Sequence, residues 1–135
     1  MKLLLKNTAS GLIPLYDSDI DEKRKLTIGT VYEADIKHPR NYEFLKKFFA
    51  LINLGHHNTS LELPISVYRK IMIMRAGYFT AYQTDKGVHY EADSISFGSK
   101  SESEFQEVYS RVLDQIIKDI GITSEEVEKE LINYM

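Results

Sequence analysis

Three side chains close together in the sequence have the types and the spacing of a divalent-metal site: His89, Glu91 and Asp93. Residues that alternate along a β-strand share one face, where imidazole and carboxylate groups can bind a divalent ion together. Such a site could support metal-dependent cleavage of nucleic acid. Alternating charge is also typical of the solvated face of a hairpin strand, and we favour that interpretation. No metal or other cofactor is therefore predicted.

Other catalytic signatures are missing from the sequence. The pair His56-His57 has no Asp, Glu or His three or four residues away to complete a metal site, so it is expected in a surface linker. The sequence contains no phosphate-binding loop, dinucleotide fingerprint or nucleophile elbow. The absence of cysteine excludes thiol nucleophiles, disulfides and cysteine-ligated zinc. We predict that the protein is not an enzyme.

Aromatic and basic side chains suggest nucleic-acid binding as one alternative. Exposed aromatic rings on a sheet stack unpaired bases while Lys and Arg hold phosphates. The same rings could instead fill a sheet core, which we favour, and a pI near 5.8 argues against strong unspecific binding. The candidate nucleic-acid contacts are Lys37, Arg40, Lys46, Lys47, Arg75 and Tyr82.

Charge is distributed unevenly along the 135 residues, whose net charge is −3. Residues 1–100 carry 14 Lys and Arg against 11 Asp and Glu, whereas residues 101–135 carry 3 against 9. An acidic surface can dock on a basic partner or imitate a phosphate backbone, although acidic helices are also simply soluble. The candidate partner-binding residues are Glu125, Glu126, Glu128, Glu130, Asp114 and Asp119.

Short strands are predicted in the first third of the chain. Residues 2–6 and 12–16 are short apolar runs around a turn-rich connector. Residues 17–25 are too charged for the core and are predicted to form a loop or exposed turn. Residues 26–36 alternate between apolar and acidic side chains, which predicts a half-buried strand.

A buried central helix is predicted next. Asn41 can cap a helix that runs to about Leu54 and ends at Gly55, and its apolar residues cover most of the circumference. A polar linker is expected at residues 56–63. The segment after Pro64 is compatible with either a helix or a strand.

A hairpin and two amphipathic helices are predicted in the C-terminal half. Strands at residues 77–83 and 88–97 flank a turn that contains Asp85 and Gly87. Ser101 and Thr123 each precede a Glu by three residues, the pattern of a helix start, and Gly121 is a helix stop. We predict one α+β domain over residues 1–135, with a small antiparallel sheet that includes the hairpin. The buried central helix and the C-terminal helix pair would pack against this sheet.

These segments together resemble a family of uncharacterised tailed-phage and prophage proteins. The family pattern places Arg-Asn ahead of a Phe-Phe-Ala-Leu-x-Asn-Leu-Gly helix, then a Gly-Tyr strand, an Asp-Gly type turn, a Ser-Ile-Ser-Phe strand and a Glu-Phe-x-x-x-Tyr helix. The opening LLLKNTASGLIPLYDSD is similar as well. The matching elements are Arg40-Asn41, Phe48 to Gly55, Gly77-Tyr78, Asp85 to Gly87, Ser94 to Phe97 and Glu104 to Tyr109. Many relatives carry a longer insertion between the helix and the first of these strands, where this chain has only a short link. The resemblance implies a phage or prophage setting and action inside the host, without any catalytic residue.

Small phage proteins without a catalytic signature mostly act by binding, so three hypotheses follow. The first is an anti-CRISPR-like inhibitor that docks its acidic helices on a host nucleic-acid-guided nuclease or its guide complex. The second is a replication or recombination accessory protein that binds single-stranded RNA or DNA. The metal-dependent nuclease is third. The apolar run at Leu3 to Leu5 is too short for a signal peptide and nothing predicts a membrane span, so we expect the cytoplasm of the bacterial host.

Overall fold

The computed structural model of the protein describes residues 1–39, 42–93 and 100–135. The chain divides into two compact units, Met1–Arg40 and Asn41–Met135. The class is α+β, as predicted. The described residues form five α-helices and two separate antiparallel sheets of two strands each, where one sheet was expected. The single-domain organisation stays a prediction.

The N-terminal unit consists of a small hairpin followed by a short helix. Strand β1 (Leu5–Thr8) pairs with β2 (Gly11–Pro14), and helix α1 spans Asp17–Lys23. The carboxylate of Asp19 is buried and connects the three elements. It accepts hydrogen bonds from the backbone N–H of Leu4 at 2.8 Å and of Tyr16 at 3.0 Å. A buried carboxylate bound by backbone N–H groups holds the start of α1 against the hairpin.

Two predictions for this unit are wrong. Residues 17–25 contain α1 where a loop or exposed turn was expected, because acidic side chains in a first helical turn are favourable and a short, partly exposed helix tolerates charge. Residues 26–36 contain no strand in the structure. Side chains 31–38 are exposed, and their backbone groups make no hydrogen bond within the described part of the chain. An alternating pattern indicates which side chains of a strand would share a face. A strand also needs a neighbouring strand to complete its backbone hydrogen bonds, and the pattern does not provide one.

The second unit is mainly helical. Its elements are α2 (Tyr42–Asn58), α3 (Ile65–Arg75), β3 (Phe79–Thr84), β4 (Gly87–Ala92), α4 (Glu102–Ile120), α5 (Ser124–Leu131) and a final 3₁₀ turn (Ile132–Tyr134). The segment after Pro64, which the sequence left undecided, is therefore a helix. Among the described residues, no helix is both long and apolar enough to cross a membrane.

Helix α2 is the centre of the core, as predicted. It packs against α3, α4 and α5, and its buried side chains occupy most of its circumference. Phe44 and Phe48 make edge-to-face contacts with Phe105 of α4, at 4.9 Å and 5.9 Å between ring centroids. The fully buried residues that α2 contributes include Phe48, Leu51, Ile52 and Leu54. The phenylalanines of α2 thus belong mainly to the core.

Gly55 does not end α2, contrary to the prediction. The helix continues through His56 and His57 to Asn58, so the expected linker is shorter than residues 56–63. Gly55 is buried, and a Cβ at this position would lie 2.5 Å from the hydroxyl oxygen of Tyr68 in α3. This glycine therefore allows α3 to approach α2 closely and has no role in chain reversal.

The boundaries of the C-terminal helices follow the predicted caps. The hydroxyl of Ser101 accepts from the backbone N–H of Glu104, and that of Thr123 accepts from Glu126. Gly121 ends α4 in the left-handed conformation, with φ of 72°. These local signals are confirmed because cap and stop geometry depend on only a few neighbouring residues.

Strands β3 and β4 form the predicted hairpin around Asp85 and Lys86, with Thr84 opposite Gly87. Contrary to the favoured interpretation, its aromatic rings do not lie in a sheet core. Phe79 and Tyr82 are each 43% exposed and Tyr90 is 54% exposed. A two-stranded ribbon has no second layer of its own to cover its faces. The predicted continuation to residue 97, with Ser94 to Phe97, lies outside the described residues, as do Arg40 and the predicted cap Asn41.

Candidate docking surface

The acidic residues of α5 form a dense cluster of exposed negative charge on the second unit. Val127 and Leu131 are buried against the core, which directs Glu125, Glu126, Glu128 and Glu130 into solvent. The only cation within α5 is Lys129, and Lys47 of α2 lies 3.8 Å from Glu128, so four carboxylates stand against two ammonium groups. We refer to these four side chains as the α5 glutamate surface.

The first two glutamates also stabilise α5 itself. Glu125 and Glu126 stand in the first turn, where negative side chains interact favourably with the helix dipole. Glu130 is contacted by the amide of Asn133 at 3.4 Å. The α5 glutamate surface is therefore rigidly presented, by a capped helix whose apolar side is anchored in the core.

Asp114 stands apart from this surface. It is exposed on α4, on a stripe where residues three and four positions apart are neighbours. Its neighbours on that stripe are Arg111 and Lys118, and Arg111 is itself 2.7 Å from Glu107. The stripe mixes both signs of charge, so it is an ordinary solvated helix face and contributes little to an acidic surface.

Asp119 is occupied by internal hydrogen bonds. Its Oδ2 atom accepts from the hydroxyl of Thr59 at 2.7 Å and from that of Tyr68 at 3.0 Å. Burial, together with this hydrogen bond, raises the pKa of Tyr68. Asp119 thus connects the end of α4 to α3 and to the chain after α2, and its carboxylate is only partly exposed. We assign it a structural role.

Lys47, a candidate for phosphate binding, joins α2 to both C-terminal helices. Its Nζ lies 3.8 Å from Glu128 Oε2 and 5.0 Å from the centroid of the Tyr109 ring. Burial raises the pKa of Tyr109, and the nearby Glu128 adds to the effect. The hydroxyl of Tyr109 is buried with no hydrogen-bond partner among the described residues. Lys47 therefore sits in a mixed aromatic and acidic environment.

The other two lysine candidates also lie close to carboxylates. Lys46 lies 3.8 Å from Glu43 and 5.8 Å from the Tyr42 ring, and Lys37, in the N-terminal unit, lies 3.3 Å from Asp35. Arg75 is exposed at the last position of α3. Each of these lysines thus has a carboxylate nearby, which offsets the field that would attract a phosphate.

The β3–β4 ribbon presents aromatic pairs on both faces. Phe79 and Tyr90 pack at 5.7 Å between ring centroids on one face, and Tyr82 and His89 pack at 5.0 Å on the other. Glu91 shares the face of His89, while the carboxylate of Asp93 accepts a hydrogen bond from Thr80. Among the described residues, no group of three His, Cys, Asp or Glu side chains is arranged to hold a metal ion.

Sequence reasoning missed two polar groups that organise the fold: Asp19 in the N-terminal unit and the link from Asp119 to Tyr68. Both connect residues 15 or more positions apart. No spacing rule for a single helix or strand reports such a pair. For Asp119 the available signal was a carboxylate in the last turn of an amphipathic helix, whereas Asp19 lies in a highly charged segment that gave no signal.

Together, the fold and its surfaces define a small α+β protein whose prominent exposed features are an acidic helix and an aromatic ribbon. The chain belongs to the family described as "Protein of unknown function (DUF1367)", whose sequence model matches residues 1–59 and 56–134. The two matches overlap at residues 56–59, around the end of α2. No curated protein and no solved structure matched the chain.

Proposed function

We propose that this is a phage- or prophage-encoded binding protein without enzymatic activity, which acts in the cytoplasm of the bacterial host. Its α5 glutamate surface docks on the basic nucleic-acid groove of a host RNA- or DNA-guided defence nuclease, or on its guide complex, and inhibits it. Carboxylates placed along a rigid helix can occupy sites that otherwise bind phosphates.

The observation that carries this proposal is the concentration of four exposed glutamates on one short helix with a buried apolar side. Opposite charge accelerates encounter with a basic groove and sets the orientation of docking. The two acidic candidates outside α5 add little, because Asp114 is flanked by cations and Asp119 is bonded internally. The proposed contact surface is therefore narrower than the sequence predicted.

The test replaces all four glutamates by glutamine, which removes their charge but retains good helix propensity. Tagged wild-type and variant proteins are used to capture partners from a lysogenic bacterial host, and captured nucleases are purified for a target-cleavage assay. We expect the wild type to inhibit cleavage by a guide-loaded nuclease. The variant should bind at least tenfold more weakly, and wild-type affinity should fall with added salt.

A matched control removes four exposed carboxylates elsewhere in the second unit: Glu62→Gln, Asp85→Asn, Glu91→Gln and Glu102→Gln. This control should inhibit as the wild type does. If the α5 variant inhibits fully, or if both variants lose inhibition equally, docking through α5 is refuted. Circular dichroism of both variants establishes that the helices are intact.

An alternative function is direct binding of single-stranded RNA or DNA by the β3–β4 ribbon. The exposure of Phe79, Tyr82 and Tyr90 favours it, because stacked bases need accessible rings. The charge of the ribbon opposes it, since Asp85 and Glu91 outnumber Lys86. The acidic-docking proposal is therefore placed first.

Fluorescence anisotropy with labelled single-stranded DNA and RNA separates the two functions. Under the alternative, Tyr82→Ala together with Tyr90→Ala should weaken binding at least fivefold, because base stacking contributes about 1–3 kcal/mol per ring. Val88→Ala, on the same ribbon, is the control. Under the acidic-docking proposal, the wild type shows no salt-sensitive binding to either nucleic acid.

A further inference from the structure

The outer edge of β3 has no partner strand among the residues that the structure describes. Within the described part of the chain, β3 pairs only with β4. The two-residue turn makes Thr84 and Gly87 a hydrogen-bonded pair, and such pairs alternate along an antiparallel ladder. The N–H of Asp93 donates to the carbonyl of Tyr78 at 3.0 Å, which fits that alternation. The backbone N–H and C=O groups of Phe79, Ala81 and Gln83 therefore point away from β4.

This edge lacks the features that keep edge strands from pairing with other chains. Natural edges are protected by charged side chains, prolines, bulges or a covering element. The sequence of β3, FTAYQT, has no charge and no proline, and its register with β4 runs without a bulge. Residues 79–83 are all exposed. An uncharged, bulge-free and exposed edge is suited to accept another strand.

The geometry of the edge is self-complementary. The three residues with outward backbone groups are spaced evenly, with Ala81 in the middle. A two-fold axis at Ala81 would pair two antiparallel copies of β3 in hydrogen-bonded register, with Phe79 opposite the partner's Gln83. All three outward positions of each strand are then satisfied by about six backbone hydrogen bonds. No charged side chain of β3 would meet its own copy.

We propose that the protein forms a two-fold symmetric dimer in which β3 pairs antiparallel with β3 of a second copy. The two ribbons then become one four-stranded sheet, and the small side chain of Ala81 sits at the symmetry axis. An isologous pairing of this kind closes on itself, which suits an edge with one self-complementary register. This assembly is independent of the proposed docking through α5.

The dimer should be weak and dependent on concentration, because an interface made by one strand edge is smaller than the roughly 1,200 Å² typical of stable complexes. Sedimentation velocity measures it directly on the full chain. We expect the wild type to shift from 15.6 kDa toward twice that mass as its concentration rises. Ala81→Lys should abolish the shift, because it places two like charges opposite each other at the axis.

Two further measurements make the test specific. Val88→Lys adds the same charge to the same ribbon face but on β4, so it should dimerise like the wild type. An equimolar mixture of Ala81→Lys and Ala81→Glu should recover the dimer through opposite charges. The proposal is overturned by a wild type that stays monomeric at millimolar concentration, or by a dimer that Ala81→Lys leaves intact. A monomer that binds only an extended peptide from another protein would also overturn it.

Discussion

At the scale of single residues, two buried tyrosines show how differently a hydroxyl can be accommodated. Tyr68 donates its hydroxyl to Asp119, whereas the hydroxyl of Tyr109 is buried with no partner in the described part of the chain. A satisfied buried hydrogen bond contributes about 1 kcal/mol to stability, and an unsatisfied buried polar atom costs free energy. Both rings are buried, but the hydroxyl of Tyr68 stabilises the fold whereas that of Tyr109 destabilises it.

Replacement of each tyrosine by phenylalanine separates these effects. We expect Tyr68→Phe to lower the free energy of unfolding by about 1–2 kcal/mol, because it removes a donor from a partly buried carboxylate. Tyr109→Phe should leave stability unchanged or raise it slightly. Urea unfolding followed by circular dichroism measures both changes. A loss of equal size in the two variants would contradict the assignment of partners.

The same tyrosines predict loss of stability at alkaline pH. Their pKa values in the folded protein are raised, mainly by burial, above the ordinary value of about 10. Below pH 10 both states keep the protons, so their contribution is constant. Above it, the unfolded chain releases protons that the folded chain retains, so stability falls as pH rises. Either phenylalanine variant should show a shallower decline.

At the scale of elements, the approach of α2 to α3 and α4 depends on Gly55. The added Cβ of an alanine would lie 2.5 Å from the Tyr68 hydroxyl oxygen and 3.1 Å from Ile116 Cγ2. Alanine is favoured over glycine in a helix by about 1 kcal/mol, but overpacking a core costs about 1–3 kcal/mol. Because Tyr68 is fully buried and hydrogen-bonded, the steric cost should prevail.

We therefore expect Gly55→Ala to lower the free energy of unfolding by about 1 kcal/mol or more. The cost should be smaller in a Tyr68→Phe background, since the nearest atom to the new methyl group is then missing. Asn53→Ala, on the exposed stripe of the same helix, is the control and should be neutral or slightly stabilising. A stabilised Gly55→Ala protein would show that the two helices can separate without cost.

At the scale of the whole molecule, burial is distributed unequally between the two units. All the buried apolar side chains lie in the second unit, as far as the described residues go, whereas the N-terminal unit has Asp19 as its buried group. In that unit Ile28 and Val31 are almost fully exposed. Regions with few buried contacts and no backbone hydrogen bonds open at low free energy.

This difference predicts where a protease cuts first. An endoproteinase specific for glutamate should cleave after Glu33 at least tenfold faster than after Glu107 or Glu128, which lie in helices. Mass spectrometry of samples taken over time identifies the order of cleavage. Earlier cuts at the helical sites would mean that the second unit is less stable than its core indicates.

Features that depend on neighbours along the chain were predictable from the sequence alone. The caps at Ser101 and Thr123, the stop at Gly121, the hairpin turn and the buried faces of α2 and α4 follow from local geometry and helical periodicity. The acidic character of α5 was visible for the same reason. These predictions needed no knowledge of what lies across the core.

Features that depend on distant residues became visible in the folded chain. The alternating residues 26–36 lack a partner strand, Gly55 is required by Tyr68, and Asp119 is withdrawn into an internal hydrogen bond. The aromatic rings of the β3–β4 ribbon are likewise exposed because no second layer in the described part of the chain covers them. Pairing and burial are relations between segments far apart in sequence, so a one-dimensional pattern specifies which residues could take part but not which of them do.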